Sequence, residues 1–530
     1  MRKKGAPQSS PGRPPLLLLA FDGVNRALLY DLLRNGELPE LAALLGGRAG
    51  GFPHAHLDET FLSTLPSSTM AAWTTAMTGV PPAQHGVAGN EFFIREELRL
   101  GAPAPVSFSD SAPTLTIYTK GYLDEIKHTL SVYERLRQTE PDLLVWVAMH
   151  QIASGADRLL VTKPTILAKA FEHVVEAAAR KVAHRDKRRL PYERIDNDLI
   201  DVVVSELRKG PVPDVLTVYL SGTDLYAHIA DEGPDKARRA YLKEVVDPAL
   251  GRLARRLRER NALLDRWVVV TSDHGHTEVQ RDDAHALSSN IEDDAPALLT
   301  RAGFRVRPLR MKVAADDDFD AVFTAGGATA FVYLADRSRC ASKKTVCDWK
   351  RAPRYVEDVL PAADAYFRAS EDGTLVPGLK GTLDLVLTRR PRPYAEEDLP
   401  FEVYVGGGRT VPVEAYLAAH PHPSYIDVPG RLHDLAVGPR GERAGDVMLL
   451  AHNGDRATPD ERFYFAALYR SWHGTPSRGD SEIPLIVAHP RATANEVRAR
   501  VERVLGHEPR QQKLTDLLID LRGLREADAR

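Results

Sequence analysis

The fold is decided by one stretch, LLLLAFDG at residues 16–23, in which six apolar residues run directly into an aspartate. Continuous apolarity, as opposed to alternation, is typical of a parallel β-strand that is covered on both faces. In α/β sheets, ligands bind at the edge formed by the carboxyl ends of such strands. The stretch therefore predicts a buried strand that places Asp22 at a binding edge.

Similar apolar stretches recur along the chain and are separated by amphipathic helical segments. The predicted strands are Leu143–Ala148, Val215–Leu220, Val268–Thr271, Val447–Ala451 and Pro484–Ala488. The predicted helices are Asn25–Asn35, Arg239–Arg258, Glu496–Leu505 and Leu514–Leu521. Strands that alternate with helices predict an α/β fold, a doubly wound and mostly parallel sheet with helices on both faces.

Two regions interrupt this alternation and predict insertions into one catalytic domain at 14–526, which follows a disordered arm at 1–13. The first, at about 95–210, is helical and contributes in part to the core. The second, at 280–445, contains the short strands Ala330–Leu334, Leu383–Leu387 and Phe401–Val405, and predicts an inserted α+β cap.

The composition narrows the class of protein. The net charge is −3, which argues against a stable nucleic-acid complex. Two cysteines exclude a disulfide scaffold, and Cys340 and Cys347 lack the spacing of a zinc ribbon. No stretch has the ~18 apolar residues of a membrane span. Leu16–Leu19 is too short for a cleavable signal peptide, so we expect a cytoplasmic location.

Acidic residues follow three of the predicted strands, and histidines accompany two of them. Asp22 ends the first strand, Asp224 with His228 follows Val215–Leu220, and Asp273 with His274 follows Val268–Thr271. A single acid at a strand end is more often a turn former than a ligand. Three acids with histidines at one edge predict a metal centre. The second histidine of Asp-His-Gly-His, His276, we assign to the loop.

A segment rich in Ser and Thr carries the predicted nucleophile. Thr69 begins a helical stretch that ends at Gly79, and a hydroxyl at this position is ordinarily only a helix cap. A helix N-terminus also attracts phosphoryl groups, and a metal ion can activate a hydroxyl beside it. Thr64 is a competing candidate, but it lies fifteen residues before Gly79 where Thr69 lies ten before it.

Five segments in order resemble the type I phosphodiesterase/nucleotide pyrophosphatase family of the alkaline phosphatase superfamily. Together they cover about residues 14–94, 130–160, 200–280 and 445–525. The segments are Phe21-Asp22-Gly23, Thr69-x3-Trp73-Thr-Thr-x2-Thr78-Gly79-x5-His85-Gly86, Tyr219-x4-Asp224-x3-His228, Ser272-Asp273-His274-Gly275 and Trp472-His473-Gly474. The motif helix departs from many relatives, because Ala71 replaces the proline of Thr-x-Pro-Ala-Trp. The resemblance implies an alkaline-phosphatase-like fold.

The resemblance also implies roles for individual residues. One metal ion would be held by Asp224, His228 and His473. A second would be held by Asp22, Asp273 and His274 together with the Thr69 hydroxyl. Asn90 and the Met70 amide would contact the phosphoryl oxygens. These nitrogen and oxygen ligands suit two divalent ions, with zinc favoured and manganese or iron left open.

The implied activity is that of a bimetal hydrolase that cleaves phosphodiester or pyrophosphate bonds through a threonyl-phosphate intermediate. The substrate would be a small phosphate ester, nucleotides included. A phosphomonoesterase or phosphonate hydrolase on the same site is the alternative. A catalytically inactive binding protein is disfavoured, because every position of the site carries a suitable residue. The oligomeric state is left open.

Four further features have structural interpretations. His54-x-His56 could form a third metal site but is interpreted as a solvent-facing loop pair. Gly406–Gly408 could hold a phosphate but is interpreted as a hairpin turn. The basic residues at 185–189 are interpreted as a solvated helix end, and His85 as part of the exit of the motif helix.

Overall fold

The computed structural model describes residues 12–47, 51–104, 121–178, 189–288, 294–308, 318–340, 347–391 and 398–524. The predicted arm therefore lies almost entirely outside the described residues, as do positions 185–188 of the basic segment. Arg189 is described and forms ion pairs with Glu193 and Glu244.

The strands of the described residues are β1 Leu16–Phe21, β2 Ala55–Asp58, β3 Phe92–Ile94, β4 Arg99–Gly101, β5 Val145–Ala148, β6 Arg158–Leu160, β7 Val215–Leu220, β8 Trp267–Ser272, β9 Thr277–Glu278, β10 Ala321–Ala325, β11 Thr329–Leu334, β12 Leu383–Arg389, β13 Phe401–Tyr404, β14 Thr410–Pro412, β15 Val447–Ala451, β16 Ser471–Trp472 and β17 Leu485–Ala488. The α-helices are α1 Arg26–Arg34, α2 Pro39–Leu44, α3 Thr69–Thr78, α4 Pro82–His85, α5 Tyr122–Ile126, α6 Val132–Thr139, α7 Pro164–Ala178, α8 Leu190–Lys209, α9 Gly222–Ala227, α10 Pro234–Tyr241, α11 Asp247–Glu259, α12 Ala295–Arg301, α13 Leu360–Asp372, α14 Val413–Ala419, α15 Val428–Ala436, α16 Arg478–Ser481, α17 Ala494–Leu505 and α18 Lys513–Leu521.

The main sheet has the strand order β2-β17-β8-β1-β7-β5-β6. Strands β8, β1, β7, β5 and β6 are parallel, and β17 runs antiparallel between β2 and β8. The central strand is β1, and all of its residues are buried. The register pairs Phe21 with both Leu220 and Ser272. As a result, the first residues after β1, β7 and β8 are level at one edge of the sheet.

A second sheet is antiparallel and has the order β10-β11-β15-β12-β13-β14. It corrects one prediction, because Val447–Ala451 forms β15 between β11 and β12 and not a strand of the main sheet. Continuous apolarity reports burial on both faces of a strand, but it does not specify which sheet the strand joins. The prediction of a hairpin turn at Gly406–Gly408 is confirmed by the pairing of β13 with β14.

The predicted helix Arg239–Arg258 is interrupted in the structure. Helix α10 ends at Tyr241, a π-helical turn spans Leu242–Val246, and α11 begins at Asp247. Pro248 explains the break, because it has no N–H to donate to the preceding turn. The Asp247 carboxylate accepts hydrogen bonds from the first amides of α2.

Cys340 and Cys347 form a disulfide bond. Disulfides persist mainly in oxidising compartments. This bond therefore does not favour the predicted cytoplasmic location, which stays a prediction. Among the described helices, none combines the length and the apolar composition that crossing a membrane requires.

Candidate active site

The three predicted acids meet because of the strand order. Strand β1 lies between β7 and β8, so Asp22 emerges between helix α9, which carries Asp224, and the loop that carries Asp273. All three carboxylates are buried. The edge of the sheet therefore concentrates three negative charges in a space closed to bulk water.

The first half of the centre, which we call site B, contains Asp22, Asp273 and His274. His274 Nε2 lies 3.6 Å from Asp22 Oδ1 and 3.4 Å from Asp273 Oδ2. Ligands placed 2.0–2.2 Å from a tetrahedral ion are separated by about 3.3–3.6 Å. Asp22 Oδ1 and Asp273 Oδ2 are also buried without a hydrogen-bond partner. The spacing and the unpartnered oxygens both fit a bound cation.

The other oxygens of site B are held by the protein. Tyr219 donates its hydroxyl hydrogen bond to Asp22 Oδ2. Asp273 Oδ1 accepts hydrogen bonds from the backbone amides of Gly23 and His274, at 3.1 and 3.0 Å. Each carboxylate is thus fixed through one oxygen and presents the other to the site.

The second half, site A, contains Asp224, His228 and His473. Asp224 and His228 lie on and just after α9, and His228 Nε2 is 3.4 Å from Asp224 Oδ1. His473 arrives from a distant part of the chain, because β16 pairs with β9 and places Trp472 opposite Thr277. Carboxylate and imidazole atoms of these three residues lie within 4.8 Å of one another.

The imidazoles of both sites are oriented in the same way. In each, Nδ1 lies 2.7–2.9 Å from a backbone carbonyl oxygen, which can only accept, so Nδ1 carries the hydrogen and Nε2 is left with a lone pair. Backbone carbonyls commonly fix metal-binding histidines in this way. The pairs are His228 with Ser471, His274 with Gly275, and His473 with Ser67.

His276 lies in the loop between β8 and β9, as expected from the sequence, and its side chain points into this centre. It is buried, and its Nε2 lies 2.8 Å from Asp224 Oδ1. Gly23 makes room for it, because Gly23 has φ +70° and a Cβ there would lie 2.6 Å from His276 Nε2. The repeated histidine of Asp-His-Gly-His was the available signal, but a sequence does not show the direction of a loop side chain.

Thr69 is the first residue of α3 and its hydroxyl faces site B. Thr69 Oγ1 lies 3.1 Å from His274 Nε2, and the hydroxyl donates because that nitrogen carries a lone pair. Thr64 occupies a separate loop, where its amide bonds Gln511 and its carbonyl accepts from Arg431. The geometry thus favours Thr69 over Thr64 as the nucleophile.

Asn90 and Met70 contact each other at the start of the same helix. The Met70 amide donates to Asn90 Oδ1 at 3.0 Å. That amide was expected to contact phosphoryl oxygens itself, whereas here it orients the Asn90 side chain. The Nδ2 amide group of Asn90 points away from the Met70 amide and can donate a hydrogen bond to a ligand.

Burial and charge set the electrostatics of the centre. Burial raises the pKa of Asp22 well above its ordinary value, and the negative charges of Asp273 and Asp224 raise it further. Burial also raises the pKa of Asp273, although His274 opposes this. Burial disfavours ionisation of Asp224 too, but the positive charge that His228 and His276 carry when protonated lowers its pKa well below the ordinary value. Cations would relieve the mutual repulsion of the carboxylates.

Aromatic packing connects the motif helix to site B. Trp73 contacts Tyr219 edge-on with ring centroids 5.9 Å apart, and Tyr219 holds Asp22. His85 is buried beside the same helix, where its Nε2 lies 3.0 Å from Thr75 Oγ1. Burial, followed by the charge of Arg443, lowers the pKa of His85 to about 3. His85 is therefore a neutral structural residue, as predicted.

His54 and His56 do not face each other in the structure. His54 Nδ1 bonds the carbonyl of Ala492, and His56 lies 3.4 Å from Asp58. Both are half-buried, which differs from the solvent-facing position typical of such pairs.

The fold and the centre define a phosphoric ester hydrolase with an alkaline-phosphatase-like fold. The sequence profile of the type I phosphodiesterase / nucleotide pyrophosphatase family matches residues 16–376. Because this match covers more than half of the chain, the chain belongs to that family. His473 lies beyond the matched residues, so its place at the centre rests on the geometry described above.

Solved structures give a consistent fold. Murine ectonucleotide pyrophosphatase/phosphodiesterase 5 superposes with a TM-score of 0.50 at 13% identity, over 96% of this chain and 95% of that chain. An inactive threonine-to-alanine variant of that murine protein, in complex with AMP, gives a TM-score of 0.50 at 12% identity over the same shares. No curated protein matches the chain in a sequence comparison.

Proposed function

We propose that this chain hydrolyses phosphodiester or pyrophosphate bonds of small phosphate esters, with Thr69 as the nucleophile and a threonyl-phosphate as the intermediate. The observation that carries the proposal is the position of Thr69. Its hydroxyl lies at the N-terminus of α3 and 3.1 Å from an imidazole of site B.

The donor set supports two ions. Site B offers two carboxylate oxygens without partners and one bare imidazole nitrogen, and site A offers one carboxylate and two imidazoles. Two divalent cations, with zinc favoured, would supply Lewis-acid charge that lowers the pKa of the Thr69 hydroxyl and offsets charge on the phosphoryl group. Buried carboxylates without such charge would repel one another.

The phosphoryl group is positioned by the start of α3. The Thr69 oxygen forms a bond to phosphorus while the bond to the leaving oxygen breaks. The amide nitrogen of Asn90, held in place by Met70, donates to a non-bridging oxygen. The other substituent stays on phosphorus in the threonyl-phosphate, and water then hydrolyses this intermediate, releases the phosphomonoester and restores the hydroxyl. A helix N-terminus favours the negative charge throughout both steps.

A nucleotide is the first substrate class to test, because the murine relative was solved with AMP. The experiment compares bis(p-nitrophenyl) phosphate, the p-nitrophenyl monoester, a phosphonate ester and nucleotide pyrophosphates, with zinc or manganese added. We expect turnover of the diester or the pyrophosphates to exceed that of the monoester. Faster turnover of the monoester or of the phosphonate ester would contradict the diesterase assignment while leaving the metal centre intact.

The intermediate has its own test. The protein is quenched in acid during turnover of a phosphate-labelled substrate and analysed by mass spectrometry. The peptide that carries Thr69 is expected to gain a phosphoryl group that keeps the substituent of the substrate that did not leave. If the peptide carries no such group and the Thr69→Ala variant still hydrolyses the substrate, the assignment of Thr69 as the nucleophile is contradicted.

A further inference from the structure

We infer that Arg431 of the second insertion is a positioning residue of the centre, because it holds the backbone segment whose carbonyl orients His473 at site A. The inference rests on the proposed function, since it needs an ion at that site. It follows from the hydrogen bonds of one buried guanidinium and from the two segments of chain that this group joins.

Arg431 lies on α15, and its guanidinium bonds two segments of the catalytic domain. Nη2 donates to the Thr64 carbonyl at 2.7 Å and to Ser67 Oγ at 2.9 Å. Nη1 donates to Ser481 Oγ at 2.8 Å. A planar guanidinium presents its donors in a fixed fork, so it can hold several acceptors in one geometry. One side chain of the insertion thus joins the segment before α3 to helix α16, which follows His473.

Ser67 connects Arg431 to site A. Its hydroxyl accepts from Arg431 and donates to the Thr475 carbonyl at 2.9 Å. Its own carbonyl oxygen lies 2.9 Å from His473 Nδ1. Ser481 bonds the same Thr475 carbonyl at 3.2 Å. The two hydroxyls that Arg431 holds therefore both fix the backbone two residues after His473, and Ser67 also contacts the ring of this ligand.

The charge of Arg431 argues against a space-filling role. The side chain is buried, and its described hydrogen bonds go to carbonyl and hydroxyl oxygens, which carry no full charge. Burial lowers the pKa of Arg431 to about 10, so the group stays protonated at neutral pH. A buried cation with neutral partners destabilises a fold relative to an apolar side chain of similar volume. We attribute its presence to the hydrogen bonds that it donates.

Helix α15 is itself held by the C-terminal part of the chain. Arg510 donates to Asp427 Oδ2 at 2.9 Å and to Asp434 Oδ2 at 3.0 Å, which are carboxylates near the two ends of the helix. Gly430 leaves room for this contact, because a Cβ there would lie 2.2 Å from Arg510 Nη2. Arg431 therefore reaches the centre from a fixed helix, and the second insertion contributes to the support of site A.

The test compares Arg431→Lys with the wild-type chain after removal of metal by a chelator. Lysine keeps the positive charge, but its single nitrogen cannot reproduce the fork of donors. Zinc is titrated by calorimetry, and we expect two ions per chain in the wild type. In the variant, we expect one of the two affinities to fall by about 10- to 100-fold. Visible spectra of the cobalt-loaded proteins should identify this ion as the one that His228→Gln weakens, and not the one that Asp273→Asn weakens.

Arg266→Lys is the matched control. Arg266 is also buried, and burial lowers its pKa to about 10. Its guanidinium donates to the carbonyls of Leu16 and Pro213 at 2.6 and 2.8 Å. These carbonyls lie at the amino ends of β1 and β7, so this arginine is at the edge of the sheet opposite the centre. Arg266→Lys should lower the free energy of unfolding but leave both zinc affinities at their wild-type values.

Ser67→Ala is a second variant that leaves the arginine in place. It removes the hydroxyl that Arg431 holds but retains the carbonyl that contacts His473. It should weaken the same ion. The double variant with Arg431→Lys should lose less affinity than the sum of the two single losses, because both changes break one connection. Circular dichroism of each variant reports whether it folds.

The outcomes separate the two proposals. Folded Arg431→Lys and Ser67→Ala proteins with both wild-type zinc affinities would overturn the inference alone. An equal loss of affinity in Arg266→Lys would also overturn it, because the loss would then report general destabilisation. If Arg431→Lys does not fold, wild-type affinities in Ser67→Ala are sufficient to overturn it. A wild-type protein that binds no ion would overturn the proposed function, and the inference with it.

Discussion

Two clusters in this protein contain the same residue types, histidine and aspartate, but differ in how their side chains are hydrogen-bonded. One is the centre at the edge of the main sheet, formed by sites A and B. The other, the cap cluster, lies beside the second sheet and consists of Asp384, His422, His452 and Asp455. Ligand atoms of Asp384, His452 and Asp455 lie within 4.8 Å of one another, as in the two sites.

The cap cluster is saturated by its own hydrogen bonds. Arg456 donates to His452 Nε2 at 2.8 Å, so the hydrogen of His452 is on Nδ1, which donates to Asp455. No lone pair is then left on the ring for an ion. Asp384 is bonded through both oxygens, by His422 and by Tyr425.

The sheet edge is the opposite case. Asp22 Oδ1 and Asp273 Oδ2 are buried without hydrogen-bond partners, and Nε2 of His274 lies 3.6 and 3.4 Å from them. In the described part of the chain, no nitrogen or oxygen of the cap cluster is both buried and unpartnered. The comparison teaches that hydrogen-bond direction and unsatisfied atoms, more than residue type, separate a metal centre from an ion-pair network.

The largest effect is expected from Thr69→Ala, which removes the proposed nucleophile at the sheet edge. Hydrolysis should fall by roughly 10⁴- to 10⁶-fold, the scale of losing a nucleophile. Single-turnover rates measure the loss. Asp455→Asn in the cap cluster is the matched control and should retain the wild-type rate. Equal losses in both variants would remove the distinction between the clusters.

Asn90→Ala should have the next largest effect. Loss of one donor to the phosphoryl oxygens is expected to lower kcat by about 10²- to 10³-fold. The metal content should stay at its wild-type value, because Asn90 is not among the proposed ligands. Steady-state kinetics together with metal analysis check both statements. A variant that loses metal as well would place Asn90 in the support of the ion sites.

Added metal should stabilise the protein by binding at the centre on the edge of the main sheet and not at the cap cluster. At free zinc one hundred times the dissociation constant, one site adds about 2.7 kcal/mol to the free energy of unfolding. Urea unfolding of the chelated protein with and without zinc measures this gain. Asp273→Asn should lose much of it, whereas Asp384→Asn should keep it. A gain that depends on Asp384 would instead identify the cap cluster as a metal site.

The smallest effect concerns the pH dependence of the cap cluster. The hydrogen bond to Asp384 raises the pKa of His422 above its ordinary value. Because the pKa is higher in the folded state, the stabilisation is complete below the unfolded pKa of about 6.5 and is lost as the pH rises through the folded pKa. His422→Gln should therefore cost at most about 1 kcal/mol at acidic pH and little at alkaline pH. Unfolding curves at both pH values check the sign, and a cost that grew with pH would contradict it.

The sequence by itself determined the elements and the acids of the centre. The run 16–21 is the central strand β1 with the predicted bounds, and Val215–Leu220 is β7. Acids at strand ends were predicted to meet at one edge, and Asp22, Asp224 and Asp273 do so. These predictions held because burial on both faces leaves a local signature, and because parallel strands align their carboxyl ends.

The tertiary structure decided what local pattern does not encode. It placed Val447–Ala451 in the second sheet, since apolarity carries no information about the partner strand. It brought His473 to the centre through the pairing of β16 with β9, a contact across almost two hundred residues of chain. It also turned His276 towards Asp224 and left the cap cluster saturated. Side-chain direction and hydrogen-bond polarity depend on neighbours distant in the chain, so only the folded structure could decide them.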